Sequence, residues 1–288
     1  MKPAPFAYSR PASLDEALVL LREHGEEAKV LAGGQSLVPL LNMRLARPSV
    51  LVDLNRVPGL DGIEAADGEV RVGALVRQRA LEGSPLTGQR LPLVAEALPR
   101  VGHLVTRNRG TVGGSIAHAD AAAELPLCLL VLGGKVVVRS AEGSREVEAG
   151  DFFVTHFTTV LAPDELVVGT VWPALRDGWG FAFEELAQRR GDYGLSMAAC
   201  ALRVEDGQVV DARVGIGSVV ERPTLLETEL TGQVLTAELA RDVGRRAADA
   251  LQPFGSVHAS AAYQRHLTGV LVERALLRAW RNALEGGA

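Results

Sequence analysis

Residues 29–45, KVLAGGQSLVPLLNMRL, decide how the amino-terminal part of the chain is read. A short apolar strand, residues 29–31, runs straight into two glycines, and an apolar stretch with helical character begins near Ser36. Glycine lets backbone N–H groups approach a ligand closely and tolerates positive φ. The junction can therefore turn the N–H groups of Ala32, Gly33, Gly34 and Gln35 toward an anion, with the Ser36 hydroxyl and the positive end of the following helix behind them. The same residues also make an ordinary tight turn, so the motif alone leaves both readings open.

Working outward, a helix precedes this strand. Ser13 with Glu16 forms a capping box, Leu14, Ala17, Leu18 and Leu21 share a face, and Gly25 ends it. A strand at 50–54 follows Pro48 and closes an alternating helix and strand unit, residues 1–56. In a second unit, residues 57–177, EVRVGAL reads as a half-buried strand and two helical stretches follow it. The segment 107–120, RNRGTVGGSIAHAD, is nearly devoid of large apolar residues and reads as a loop. An apolar helix, AAAELPLCLLVLGG, the strand KVVVRS and a strand at 165–172 complete this unit. The third, residues 178–288, has strands at about 181–187, 195–204 and 208–217, an Asp206-Gly207 turn, and two helices, roughly 237–251 and 259–284.

The loop at 107–120 repeats the chemistry of the first glycine pair. Thr111, Val112, Gly113, Gly114 and Ser115 again set two glycines between hydroxyls, and Asp120 and Glu124 follow. The two phosphates of a dinucleotide share one bridging oxygen, so two separate loops can clamp a single pyrophosphate from opposite sides. No G-x-G-x-x-G crevice lies between a strand and a helix, VGIGSV at 214–219 lacks the third glycine, and no Walker A motif occurs.

A net charge of -5 with no lysine run gives no broad field for polyphosphate, which argues against nucleic acid as a partner. No apolar run reaches the roughly 18 residues that span a bilayer, and the amino terminus carries prolines in place of an apolar signal core, which points to a cytoplasmic protein. The two cysteines, Cys128 and Cys200, sit in apolar stretches and read as buried reduced thiols, too few for an iron-sulfur cluster.

Four stretches, in order, carry a resemblance: AGGQSLVPLLNMRL, RNRGTVGGSIAHADAAAELP, DFFVTHFTTVLAPDELV and RRGDYGLSMAACAL. With them the chain resembles, over nearly its whole length, the flavoprotein (medium) subunit of bacterial molybdenum hydroxylases, the group of carbon monoxide dehydrogenase and xanthine dehydrogenase. The resemblance implies an α+β fold: a p-cresol methylhydroxylase/vanillyl-alcohol oxidase-type FAD-binding domain of two α/β subdomains, then a carboxy-terminal α+β domain of about three strands and helices. It implies a pyrophosphate held by residues 32–36 and 111–115, an acidic contact to the adenosine end from Glu124, with Asp120 beside it, a backbone contact to the flavin from Leu161, and Tyr193 packed near the isoalloxazine. Relatives commonly carry lysine where Glu185 stands, which puts a cationic role there in doubt.

The resemblance also implies an FAD that relays electrons to an external acceptor (quinone, NAD or a carrier protein). Its partners would be a large subunit with a molybdenum cofactor and a small one with two-iron two-sulfur clusters, as a dimer of heterotrimers. Neither glycine loop has a His or Cys at its core to tether a flavin, so the FAD is expected to be noncovalent. The rival is a stand-alone FAD-dependent oxidoreductase of the same fold. Neither reading assigns a catalytic acid or base, and His118 with Asp120 lacks the further ligands of a metal site. Arg107 and Arg109 either help neutralise the pyrophosphate or cover the surface. Arg190 and Asp192 form either a reactive pair or a turn beneath Tyr193.

Overall fold

The computed structural model describes residues 2–174 and 178–286. The first unit is a three-stranded parallel sheet. Strand β1 (Ala7–Ser9) leads into helix α1 (Leu14–His24), then β2 (Ala28–Leu31), helix α2 (Leu37–Asn42) and β3 (Val50–Asp53), in the order β1-β3-β2. The Ser13 hydroxyl accepts from the Glu16 N–H at 3.2 Å, while the Glu16 carboxylate reaches back to the Ala12 N–H at 2.7 Å, one residue earlier than in the usual box. Parallel pairing of Leu31 with Asp53 places the glycine loop that follows β2 beside the polar residues that follow β3.

The second unit is a five-stranded antiparallel sheet with a helical insertion. It begins with β4 (Ile63–Ala66) and β5 (Glu69–Gly73), joined by an Asp67-Gly68 turn with both residues at positive φ. Six short helices follow: α3 (Gln78–Gly83), α4 (Pro85–Arg90), α5 (Pro92–Ala97), α6 (Leu104–Arg109), α7 (Val112–His118) and α8 (Glu124–Leu132). Segment 107–120 is therefore not one loop; it holds the end of one helix and the whole of another, broken at Gly110-Thr111. Its lack of large side chains disguised the helices, because α7 carries two glycines, poor helix formers, and is held by external bonds instead. The chain then runs through β6 (Lys135–Arg139), β7 (Ser144–Glu148), the turn of helix α9 (Ala149–Phe152) and a small hairpin, β8 (Phe153–Thr155) with β9 (Thr158–Thr159). Finally β10 (Leu166–Pro173) inserts between β5 and β6, giving the order β4-β5-β10-β6-β7.

The third unit is an antiparallel sheet of β11 (Trp179–Ala187), β12 (Gly194–Glu205), β13 (Gln208–Gly217) and a short β14 (Thr224–Leu225) that sequence patterning misses. Helices α10 (Ala237–Ala250) and α11 (Ala261–Gly286) cover one face. The alternation along β12 shows how the sheet is used. Met197, Ala199 and Ala201 join the core of the second unit, while Ala198, Cys200 and Leu202 join the core under the helices. Both faces are buried, which explains the unbroken apolar run SMAACAL. Both cysteines are free and buried. The boundary expected at 177/178 begins at a residue outside those described.

One contact sets how closely α11 approaches the sheet. A methyl group on Gly180 would stand 2.0 Å from the Ala279 carbonyl oxygen and 2.3 Å from the Ala283 nitrogen, both backbone atoms of α11. Gly180→Ala is thus expected to cost ~3 kcal/mol through overpacking, a fall of roughly 6–12 °C in thermal midpoint by calorimetry. An unchanged midpoint would mean that the helix is free to move off.

Candidate functional site

The two glycine loops meet. A methyl group on Gly33 would lie 2.4 Å from the Arg109 carbonyl oxygen and 2.9 Å from the Gly110 Cα. One on Gly114 would lie 3.8 Å from the Ala32 Cβ. Only glycine at 33 permits this backbone-to-backbone approach, and Gly34, at φ +73°, turns the chain back toward α2.

The two loops contribute differently. Among the described residues, the N–H groups of Gly33, Gly34, Gln35 and Ser36 have no protein acceptor; the Gln35 side chain folds back on the Gly33 carbonyl at 3.4 Å. In the second loop the N–H groups are committed. Val112 donates to Val76, Gly113 to Ala74, Gly114 to the Thr111 hydroxyl at 3.1 Å, and Ser115 to the Thr111 carbonyl. Gly113 is required by packing, since a methyl there would stand 2.4 Å from the Ala74 Cβ. The evenly shared main-chain clamp expected from the sequence is therefore lopsided. Residues 33–36 supply open donors, whereas residues 111–115 form a capped helix start that supplies a close wall and the Ser115 hydroxyl.

Beyond the second loop the acidic residues converge. Ala119 is left-handed (φ 51°) and ends α7, and the Asp120 carboxylate accepts from the Ala122 N–H at 2.9 Å, shaping the turn into α8. Glu124 opens α8 and is 8% exposed. Burial pushes its carboxyl up to about 8, assisted by the negative charges of Glu185 and Asp120. Glu185 is likewise pushed up to about 7 by burial, which the Arg100 guanidinium offsets only in part, and its Oε2 is buried without a partner. Tyr193 stands over this group with its side chain largely exposed; desolvation, then the Asp120 and Glu124 carboxylates, raise its phenol above the usual value. Asp120 and Glu185 are thus near enough for their charges to act on Glu124, and Asp120 and Glu124 near enough to act on Tyr193.

Other readings separate here. Arg107 is buried, pairs with Glu82 at 3.0 Å and donates to the Val101 and Gly102 carbonyls, so it builds α6 and is not offered to an anion. Arg109 is exposed. Asp192 forms a turn through its N–H to the Arg189 carbonyl, the plainer of the two readings. No group of three potential metal ligands occurs among the described residues. Leu161 stands apart from the loops in its bonding: it packs on the core of the second unit and its N–H donates to the Thr159 hydroxyl at 3.3 Å. The chemistry-bearing residues that the sequence did not single out are Asp53, Asn55 and Arg77, and the hairpin tip His156-Phe157, which packs on His118 and bonds the Ala119 carbonyl. A polar residue ending an otherwise apolar strand, Asp53, with Asn55 two positions on, was the available signal.

The paired loops suit a dinucleotide in two respects: an open amide cluster at residues 33–36 for phosphate, and glycines that let the two backbones meet. No helix of the described residues is long and apolar enough to cross a membrane. Residues 4–175 match the family model described as "FAD binding domain in molybdopterin dehydrogenase", and residues 181–279 match "CO dehydrogenase flavoprotein C-terminal domain". The chain is 42% identical to the 6-hydroxypseudooxynicotine dehydrogenase complex subunit alpha of Paenarthrobacter nicotinovorans, over 98% of this chain and 97% of that one. It is 35% identical to the carbon monoxide dehydrogenase medium chain of Hydrogenophaga pseudoflava, over 97% and 99%. A solved structure of carbon monoxide dehydrogenase from Hydrogenophaga pseudoflava, in a form lacking the Mo-pyranopterin moiety, superposes with a TM-score of 0.95 at 34% identity, over 98% of this chain and 99% of that one.

Proposed function

Because the chain belongs to the family of FAD-binding medium subunits of molybdenum hydroxylases, we propose that it holds its flavin noncovalently between the loops 32–36 and 111–115 and relays electrons inside a larger complex. The observation that carries the loop assignment is the direct abutment of Gly33 on Arg109-Gly110, which brings two distant glycine pairs to one place. Bound FAD supplies chemistry that accepts and releases electrons singly or in pairs.

The chain's own residues bind, orient and shield. The open N–H groups of residues 33–36 take the pyrophosphate oxygens, and Gly114 leaves room for them against the Thr111–Ser115 wall. Asp120 and Glu124 meet the polar groups at one end of the dinucleotide. Tyr193, with its side chain largely exposed, would offer its ring to the flavin and limit water at that face. Leu161 offers backbone near the ring from the strand-to-turn segment that Thr159 fixes. Glu185, whose carboxyl burial pushes up to about 7, leaves this region without the fixed cation that lysine would give.

Electrons arrive, in this reading, from two-iron two-sulfur clusters of a small partner fed by a molybdenum-bearing large partner, and leave to an external acceptor. The assembly is a cytoplasmic dimer of heterotrimers. Its support is the medium-chain relatives, and the two cysteines, which leave the cluster ligands to another chain. Co-expression with neighbouring subunits is expected to yield a yellow complex containing iron, molybdenum and FAD, and acid precipitation is expected to release the FAD into solution. Flavin that stays with the precipitate would overturn noncovalent binding. A yellow chain that never co-purifies with iron or molybdenum would favour a stand-alone oxidoreductase.

A further inference from the structure

The two loops are joined by more than contact. After β3, the Asn55 side-chain amide donates to the Ala32 carbonyl at 2.9 Å and to Asp53 Oδ1 at 2.6 Å. Asn55 Oδ1 in turn accepts from the Arg77 guanidinium at 2.6 Å, and the other arm of that guanidinium donates to the Arg109 carbonyl at 2.5 Å. A continuous polar chain therefore runs from Ala32, the first residue of one loop, to Arg109, two residues before the other. Its base is anchored: Asp53 is buried, accepts from Asn55 N–H at 2.9 Å and from the Tyr8 hydroxyl, and lies 3.8 Å from Arg10. Burial works against its ionisation, yet these hydrogen bonds outweigh it and hold the carboxyl below the usual range, so the anchor stays charged at neutral pH. The backbone adds one fixed side. The segment 74–78 runs against 110–113, with Gln78 N–H on the Gly110 carbonyl and Val112 N–H on the Val76 carbonyl.

We propose that Asn55 and Arg77 are positioning residues that set the spacing between the two loops, and through it the affinity for the flavin dinucleotide. Both act through the loop carbonyls of Ala32 and Arg109. The Ala32 carbonyl shares its peptide plane with the Gly33 N–H, and the Arg109 carbonyl is the atom that Gly33 abuts, so holding both fixes the first open donor against the neighbouring loop. The inference rests on the flavin reading above and adds to it the element that holds the site open before ligand arrives.

The test uses the full chain in whatever assembly it purifies, stripped of flavin and titrated with FAD. Asn55→Ala, Arg77→Met and the double variant are compared with wild type. Each single variant is expected to bind FAD about 10- to 30-fold more weakly, because one link of the chain is lost, and the double variant no more weakly than the worse single. The thermal midpoint of the flavin-free chain should stay near wild type, and the visible spectrum of bound flavin should be unchanged, since neither residue touches the ring pocket. Weakening by Arg77→Met alone would assign the effect to simple charge and overturn the inference. So would additive losses, or losses that follow the fall in thermal midpoint. Wild type that takes up FAD beside variants that bind equally well overturns the spacing role alone; wild type that takes up none overturns the flavin reading and this inference with it.

Discussion

Gly33→Ala is expected to give a folded chain whose affinity for FAD falls by about 100-fold or more, which matches the loss of two charge-assisted hydrogen bonds. The added methyl would sit 2.4 Å from the Arg109 carbonyl oxygen, a backbone atom that Arg77 already holds, so the loops must part. The fold is expected to survive, because neither loop gives a buried residue to the apolar clusters beyond Val112. Equilibrium titration with FAD, beside far-ultraviolet circular dichroism, separates the two effects. Gly114→Val should also abolish uptake, but less cleanly. Its side chain meets the Thr111 hydroxyl at 2.6 Å and removes the cap of α7, which costs about 1 kcal/mol of stability by itself. Retention of FAD by Gly33→Ala would place the phosphates somewhere other than between the loops.

The second large effect is on pH. In the unfolded chain Glu124 and Glu185 titrate near 4.5, whereas in the folded chain burial pushes them up to about 8 and about 7, with repulsion from Glu185 adding to the shift of Glu124. Between these values the folded state holds protons that the unfolded state has released. Stability therefore declines as pH rises through this window, by about 1.4 kcal/mol for each pH unit over which one extra proton is held. The thermal midpoint of the flavin-free chain is expected to drop steadily from pH 5 to pH 8.5 and to level off above, opposite to the carboxylate behaviour of Asp53, whose contribution is lost only in acid. Glu185→Gln should flatten the curve, because an amide cannot ionise and no longer repels Glu124. A wild-type midpoint that climbs over the same range would show that both groups are charged in the fold.

Much of this organisation was legible in the residue pattern. Helix α1 announced itself through Ser13, Glu16 and Gly25, and the β12–β13 hairpin through Asp206-Gly207, because local chemistry decides both. An identical Asp-Gly pair at 67–68 gives a weaker signal, since only a short, mostly exposed strand precedes it. At the site, the glycine pairs were visible as composition, but their unequal roles were not. Whether an N–H is free depends on Val76 and Ala74, residues far away in the chain that supply the acceptors. The convergence of Glu185 on Glu124 was hidden for the same reason. One lies on a strand of the third unit and the other on a helix of the second, and only the packing of β11 and β12 against that unit brings them together.

The order of the five-stranded sheet carries a consequence for how the protein is made. Its middle strand, β10, is the last of the five to leave the ribosome, so until residue 173 has emerged two strand pairs wait with bare inner edges and the helices between them lack a floor. Ala74, which receives the Gly113 N–H, is itself fixed by the Val168 carbonyl of that late strand. A nascent chain stopped short of β10 is thus expected to be both sticky and unable to hold dinucleotide, and cofactor loading belongs after synthesis of the second unit.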